Sequence, residues 1–498
     1  MRQSAKKIRN IKLILLGIII LNLILRTPSL FDPVSYGDEC IYLTLGQAFN
    51  KGFSFYRDIH DNKPPFLYFM AALAGGKLFW LRLITIIWNS LNIILIYKLG
   101  KKLFKKKEPG LLGAFLFFIF TFLPEGRIAN GEIFMVLPAS LGLYFSLKAT
   151  DFKTRVKKIV PEKKKNIYWF LTGFFFSLAF LFKVPIAFDF IGLILGFFVF
   201  LKKKPKNILS SFKEKPLYLA IFGFSLPIVL SIFYYTLKGA FVPYFRSALL
   251  QNIGYLSSWG GSNIGLYIRA LLILILTVFL FRWRQKLSFV FCLLFLMTLY
   301  GLFGVFLSER PYPHYLIEIA PWLALLLVQV LKDKNKKEIL LSLVLFLLTI
   351  FGVFNYKYWW YPNLPYYKNF IKFGLKISQK DDFFRFFGEK TLNDYRVAKY
   401  LKIRSQKQDN LFVWGDGACI YALSERLPPG RYTVNYHIYD FNGYSETLGA
   451  IKEKKPKFIV LLDSAKKDFP ELRTHLALHY FKVNQIGEAI IYKKIVNN

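Results

Sequence analysis

Tyr36-Gly37-Asp38-Glu39-Cys40-Ile41-Tyr42, followed by Asn62-Lys63-Pro64-Pro65, is the part of this chain that says most about its architecture. It lies just past the first long apolar run, 11–25, and sets two adjacent carboxylates and a lysine beside a membrane helix. Acidic side chains next to a bilayer are costly when dehydrated and unpaired, so their presence there points to a use.

Composition agrees with a membrane protein. Of 498 residues, 54% are hydrophobic and 19% aromatic, with a mean hydropathy of +0.36. Apolar runs of roughly 15–22 residues, the length needed to cross a bilayer, recur up to about residue 356. A net charge of +38 would ordinarily suggest nucleic acid. Here the lysines cluster between apolar runs, as the positive-inside rule requires, and no nucleic-acid partner is expected. Cys40, Cys292 and Cys419 are too few and too scattered for a disulfide framework or a zinc site. Residues 1–25 have a basic start and an apolar stretch but no small-x-small cleavage site, so they are expected to stay as a first helix.

The basic clusters 2–12, 98–107, 148–165, 202–215, 282–286 and 332–337 set the topology. If all are cytoplasmic, an even number of crossings lies between neighbours, which gives about eleven helices. Residues 66–73 are too short to span and are expected along the surface as an amphipathic helix. The pair at 168–201 must turn near Lys183-Val184-Pro185. On this topology Asp38, Glu39, Lys63, Arg127, Glu132, Lys183, Arg246, His314 and Tyr315 share the non-cytoplasmic side, which argues for one site. The membrane part is expected over 1–357, a linker over 358–382, and a soluble α/β domain over 383–498. In that domain 410–415, 457–463 and 488–493 read as strands, and 391–401 and 444–452 as helices. Gly415-Asp416-Gly417 lacks the rest of a dinucleotide fingerprint, and Trp414, Asp416, Arg431, Tyr432 and His437 are assigned to core and turns.

Asp38 is the candidate general base. Glu39 points about 100° away on a helix and takes a different task, a metal or the acceptor. The competing reading of the pair is an acidic first helical turn. Lys63, fixed by Pro64-Pro65 at a helix start, suits a phosphate, or else snorkels toward headgroups. Lys183, nearly alone among apolar residues, needs a partner: a phosphate, or Asp189 in a structural ion pair. Arg127 and Glu132 flank an outside turn, and His314-Tyr315 start a helix at the interface, where an aromatic belt is the alternative.

The pattern Asp38, Glu39, Tyr42, Gly46, Gly52, Asp58, Lys63-Pro64-Pro65 and Tyr68 resembles bacterial members of glycosyltransferase family 39, relatives of the protein O-mannosyltransferases and of the aminoarabinose transferase that modifies lipid A. Asn130-Gly131-Glu132, Lys183, His314-Tyr315 with Pro321, and a tail with Val413-Trp414-Gly415, Tyr421 and Arg431-Tyr432 follow in order. The resemblance implies a polytopic α-helical membrane protein of the C-type glycosyltransferase fold with a small extracytoplasmic α/β domain. It implies inverting transfer of a sugar from a polyprenyl-phosphate donor to a lipid, glycan or protein acceptor outside a bacterial cell membrane. Asp38, Glu39 and Glu132 become the catalytic candidates, Lys63, Lys183 and Arg127 the donor-phosphate ligands, and Tyr42, His314 and Tyr315 the substrate contacts. Some relatives carry an acid directly before the lysine, in a metal site. This chain has Asn62 there, so no metal ligand is assigned and a divalent ion is left open as cofactor. A transporter or flippase of lipid-linked saccharides would favour charges at mid-bilayer depth in several helices. An oligosaccharide ligase would favour a longer late outside loop.

Overall fold

The computed structural model describes residues 2–150, 161–200, 214–251, 264–465 and 467–495. Most of the basic clusters at 148–165 and 202–215, and the end of the expected outside loop 238–263, lie outside these residues. The chain forms two compact units, one of residues 1–26, 85–234 and 249–361, the other of 27–84, 235–248 and 362–498.

Helices occupy all eleven stretches expected to span. They are α1 (Arg2–Arg26), α4 (Leu78–Phe104), α5 (Lys107–Phe122), α6 (Gly131–Ala149), α7 (Glu162–Phe180), α8 (Ile186–Leu195), and the helices Lys215–Leu237, Ile264–Trp283, Phe289–Val305, Ala320–Asp333 and Lys336–Asn355. Six of these regions are long and apolar enough to cross a membrane. Ile264–Trp283 exposes Tyr267, Ile268, Leu271, Leu274 and Val278, and only 11% of its apolar window is buried. Such a surface is stable only against lipid. Phe289–Val305, by contrast, is buried along most of its length.

Close approach within the first unit depends on glycine. A Cβ on Gly173 of α7 would lie 1.8 Å from Ala220 O, and one on Gly223 would lie 2.1 Å from Phe170 O, so these two helices cross backbone to backbone. The Arg26 guanidinium, buried at the end of α1, donates to Asn22 Oδ1 (2.8 Å), Thr121 O (3.0 Å) and Gly126 O. It thereby fixes the turn between α5 and α6. A Cβ at Gly126 would fall 1.5 Å from Thr121 O, so the turn closes only around glycine.

In the second unit, α2 (Gly37–Asn50) and α3 (Phe66–Leu73) pack where a Cβ on Gly46 would lie 2.6 Å from the Ala71 carbonyl carbon. Strands β1 (Leu411–Trp414), β2 (Phe458–Leu461), β3 (Tyr480–Ile486) and β4 (Ala489–Lys494) form a mixed sheet in the order β1-β2-β4-β3. β1 and β2 are parallel and the other pairs antiparallel. Alternate residues face opposite layers. Leu411, Val413, Phe458 and Val460 pack with Val397 and Leu401 of the helix Glu389–Arg404, while Phe412, Trp414 and Ile459 pack with Ile451, Leu472 and Leu476.

One expectation is overturned. Cys40 of α2 and Cys419 of the helix Ala418–Ser424 form a disulfide across 379 residues of sequence. Pairing follows spatial neighbourhood, which spacing along the chain does not disclose. The same two helices join through Thr44 Oγ1 to Ala418 O (3.4 Å) and Gln47 Nε2 to Ala422 O (2.9 Å). Cys292 is buried and free.

Candidate functional site

In the second unit the first motif closes on itself. Pro64-Pro65 end the extended segment and α3 starts at Phe66, which brings Tyr68 back over Lys63. The Lys63 backbone is locked at both ends: its N–H donates to Tyr68 Oη (2.9 Å) and its carbonyl accepts from Tyr56 Oη (2.7 Å). Burial pushes both phenols well above their ordinary range, so both keep the proton they donate. The Lys63 ammonium stands 3.4 Å from Asp38 Oδ2, 3.8 Å from Asp61 Oδ2 and 5.0 Å from the Tyr42 ring centre. Tyr42 donates to Asp38 Oδ2 (3.1 Å), one turn along α2. Asp38 is a third exposed, whereas Asp61 is buried.

Glu39 faces the other way. Both its oxygens accept from Arg82, at 3.0 and 2.6 Å, and Arg82 also donates to Asp32 (2.6 Å) and Ser29 O (2.7 Å); Ser29, Glu39 and Arg82 are buried. Neighbours on a helix diverge as geometry requires, and Glu39 offers substrate no oxygen without breaking this fork. Behind Lys63, His437 Nε2 lies 3.5 Å from Asp61 Oδ1, and the His60 ring centre lies 5.1 Å from that of His437. Both rings are buried. Burial, then each ring's charged neighbours, depress His60 well below the ordinary imidazole range, and burial is also the main cause for His437, so both are neutral.

The first unit holds a second constellation. Glu132, in the first turn of α6, pairs with Lys183 in the α7–α8 turn, and Lys183 Nζ lies 3.7 Å over the Tyr315 ring. His314 Nδ1 meets Glu125 Oε2 at 2.9 Å, and its Nε2 lies 3.8 Å from Glu132 Oε1. Glu125 also accepts from Trp359 Nε1 (2.9 Å). The result is an alternating row of carboxylates and bases: Glu125, His314, Glu132, Lys183. Arg127 lies 4.2 Å over the Tyr361 ring. Asp189, weighed above as the partner of Lys183, instead accepts from Trp322 Nε1.

Asp38, Tyr42 and Lys63 therefore come together in one unit, and Glu132, Lys183, His314 and Tyr315 in the other. Asp61, Glu125 and Arg82 were not singled out from the sequence. Asp61 stands two residues before Lys63, Glu125 stands two residues before Arg127, and Arg82 is a lone charge opening an apolar helix, much as Lys183 is nearly alone among apolar residues. Among the described residues no group of three or more His, Cys, Asp or Glu is disposed to hold a metal ion.

The fold is the one that the resemblance implied, polytopic and helical with a small mixed sheet. The chain is similar to ArnT from Cupriavidus metallidurans bound to undecaprenyl phosphate, with 11% identity, 96% of this chain and 98% of that chain covered, and a TM-score of 0.59. Its similarity to the apo state of the same protein is 12% identity, 99% and 98% coverage, and a TM-score of 0.51. The oligosaccharyltransferase AglB from Archaeoglobus fulgidus matches with 15% identity, 98% of this chain and 74% of that chain covered, and a TM-score of 0.44. Residues 62–235 match the family model described as dolichyl-phosphate-mannose-protein mannosyltransferase, in accord with the resemblance drawn from the sequence. Residues 392–495 match one described as "Putative competence-induced protein Ccs4 C-terminal domain". No curated protein matches the chain.

Proposed function

We propose that this protein is an inverting membrane glycosyltransferase that uses a polyprenyl-phosphate-linked sugar. The observation that carries this reading is the half-open Asp38 carboxylate 3.4 Å from the Lys63 ammonium, beside a buried second carboxylate. A donor phosphate arriving at Lys63 competes with Asp38 for the ammonium. Asp38 is then released to take the proton from an acceptor hydroxyl or amine as that atom attacks the anomeric carbon. The bond from that carbon to the phosphate oxygen breaks, and the departing polyprenyl phosphate takes up the negative charge, which cations stabilise. Asp61, hydrogen-bonded by Tyr68 (2.8 Å), keeps Lys63 positioned when Asp38 lets go. Within the first unit, Glu132 holds Lys183 in place through their ion pair. Glu39 is a structural anchor on Arg82.

The similar fold of ArnT bound to undecaprenyl phosphate supports this donor class. The Cys40–Cys419 disulfide supports an extracytoplasmic position for the second unit, since such bonds persist in oxidising compartments. Native mass spectrometry of the full chain with undecaprenyl phosphate tests the reading. Wild type binds and Lys63→Ala binds at least tenfold more weakly; a wild-type protein that takes up no polyprenyl phosphate overturns it.

A further inference from the structure

The helix Asn363–Gly374 lies in the stretch expected from composition to be a linker, and its two faces differ. The inner face is committed. Tyr366 donates to Asp32 Oδ1 (3.0 Å), Asn369 Nδ2 donates to Phe383 O (3.0 Å), and Phe370 and Phe373 pack on the cluster of Phe383, Phe384 and Leu392. The helix therefore cannot roll to hide its other side. That side presents Leu364, Ile371 and Leu375, seven and four residues apart on one stripe, with Ile377 in the turn that follows. These four are between 54% and 69% exposed.

Lys368, Lys372 and Lys376 are exposed beside this stripe, and no acidic residue lies between 363 and 380. In sequence the segment follows the apolar helix Lys336–Asn355 and the exposed Trp359 and Trp360, residues typical of a bilayer boundary. A twofold contact between copies would set lysines against lysines, which disfavours a dimer. An apolar stripe a few ångströms deep with cations at its rim fits a leaflet with anionic headgroups. We propose that Asn363–Gly374 and the following turn form an in-plane anchor. Leu364, Ile371, Leu375 and Ile377 enter the acyl boundary, and Lys368, Lys372 and Lys376 engage anionic phospholipid headgroups.

The test needs no sugar substrate, so it stands apart from the transferase reading. The full chain carrying Ile371→Cys, or Leu478→Cys as an equally exposed control on the helix Pro470–His479, is labelled with bimane. Each is placed in nanodiscs whose lipids carry a nitroxide near the top of the acyl chain. Quenching at 371 is expected to exceed that at 478 at least threefold, and to rise when phosphatidylglycerol replaces part of the phosphatidylcholine. Lys368→Glu with Lys372→Glu should remove that rise. Equal quenching at the two positions overturns the anchor, as does a label at 371 that is shielded from water yet unquenched. Quenching indifferent to lipid charge overturns the role given to the lysines.

Discussion

Lys63 cannot neutralise Asp38, Asp61 and a phosphate at once, and this competition gives the residue-scale predictions. Asp38→Asn keeps the Tyr42 contact and the fold but removes the base, so transfer should drop by about 10²–10⁴ with an unchanged melting temperature. Mass spectrometry of envelope glycans from complemented cells reads the first quantity, thermal unfolding the second. The neutral pair His60 and His437 makes a separate prediction. Their imidazoles are depressed in the folded protein, so their contribution to stability is complete above the ordinary histidine value, about 6.5. It is lost as pH falls below that value, because the unfolded chain then binds the protons. Melting from pH 7.5 to 5.5 should show a total loss of about 1 kcal/mol per histidine, most of it below pH 6.5, and His60→Phe should flatten the slope. Asp38, Lys63 and Lys183 were legible in the sequence because charges beside apolar runs are conspicuous. The inward turn of Glu39 and the neutral histidines were not, since each depends on partners up to hundreds of residues away.

At the scale of elements, the apolar periods and basic punctuation marked the eleven helices given above, and short apolar runs marked β1, β2 and β4. β3 escaped because Tyr480–Ile486 runs Tyr-Phe-Lys-Val-Asn-Gln-Ile, whose polar residues break any apolar run. It is an edge strand, where burial does not impose a pattern and lysine is favoured. Gly487, at φ 56°, closes the two-residue turn to β4 and was the available signal. The Gly173–Gly223 crossing was equally silent, because packing partners are not written in either helix. Gly223→Val should separate α7 from Lys215–Leu237 and cost about 1–3 kcal/mol, read as a lower melting temperature in detergent.

At the scale of the molecule, the second unit draws on three separated stretches of chain. Replacing Cys40 and Cys419 by serine should lower its stability by about 2–5 kcal/mol. Non-reducing peptide mapping of wild type should recover the two cysteines in one cross-linked fragment. The bond also imposes a schedule on biosynthesis. Cys40 leaves the ribosome 379 residues before its mate, a wait of roughly 20–80 s at ordinary elongation rates. Throughout that interval the Asp38 helix carries an unmatched thiol, which makes it a client for oxidoreductases. A truncated chain would never acquire the clamp that braces this helix.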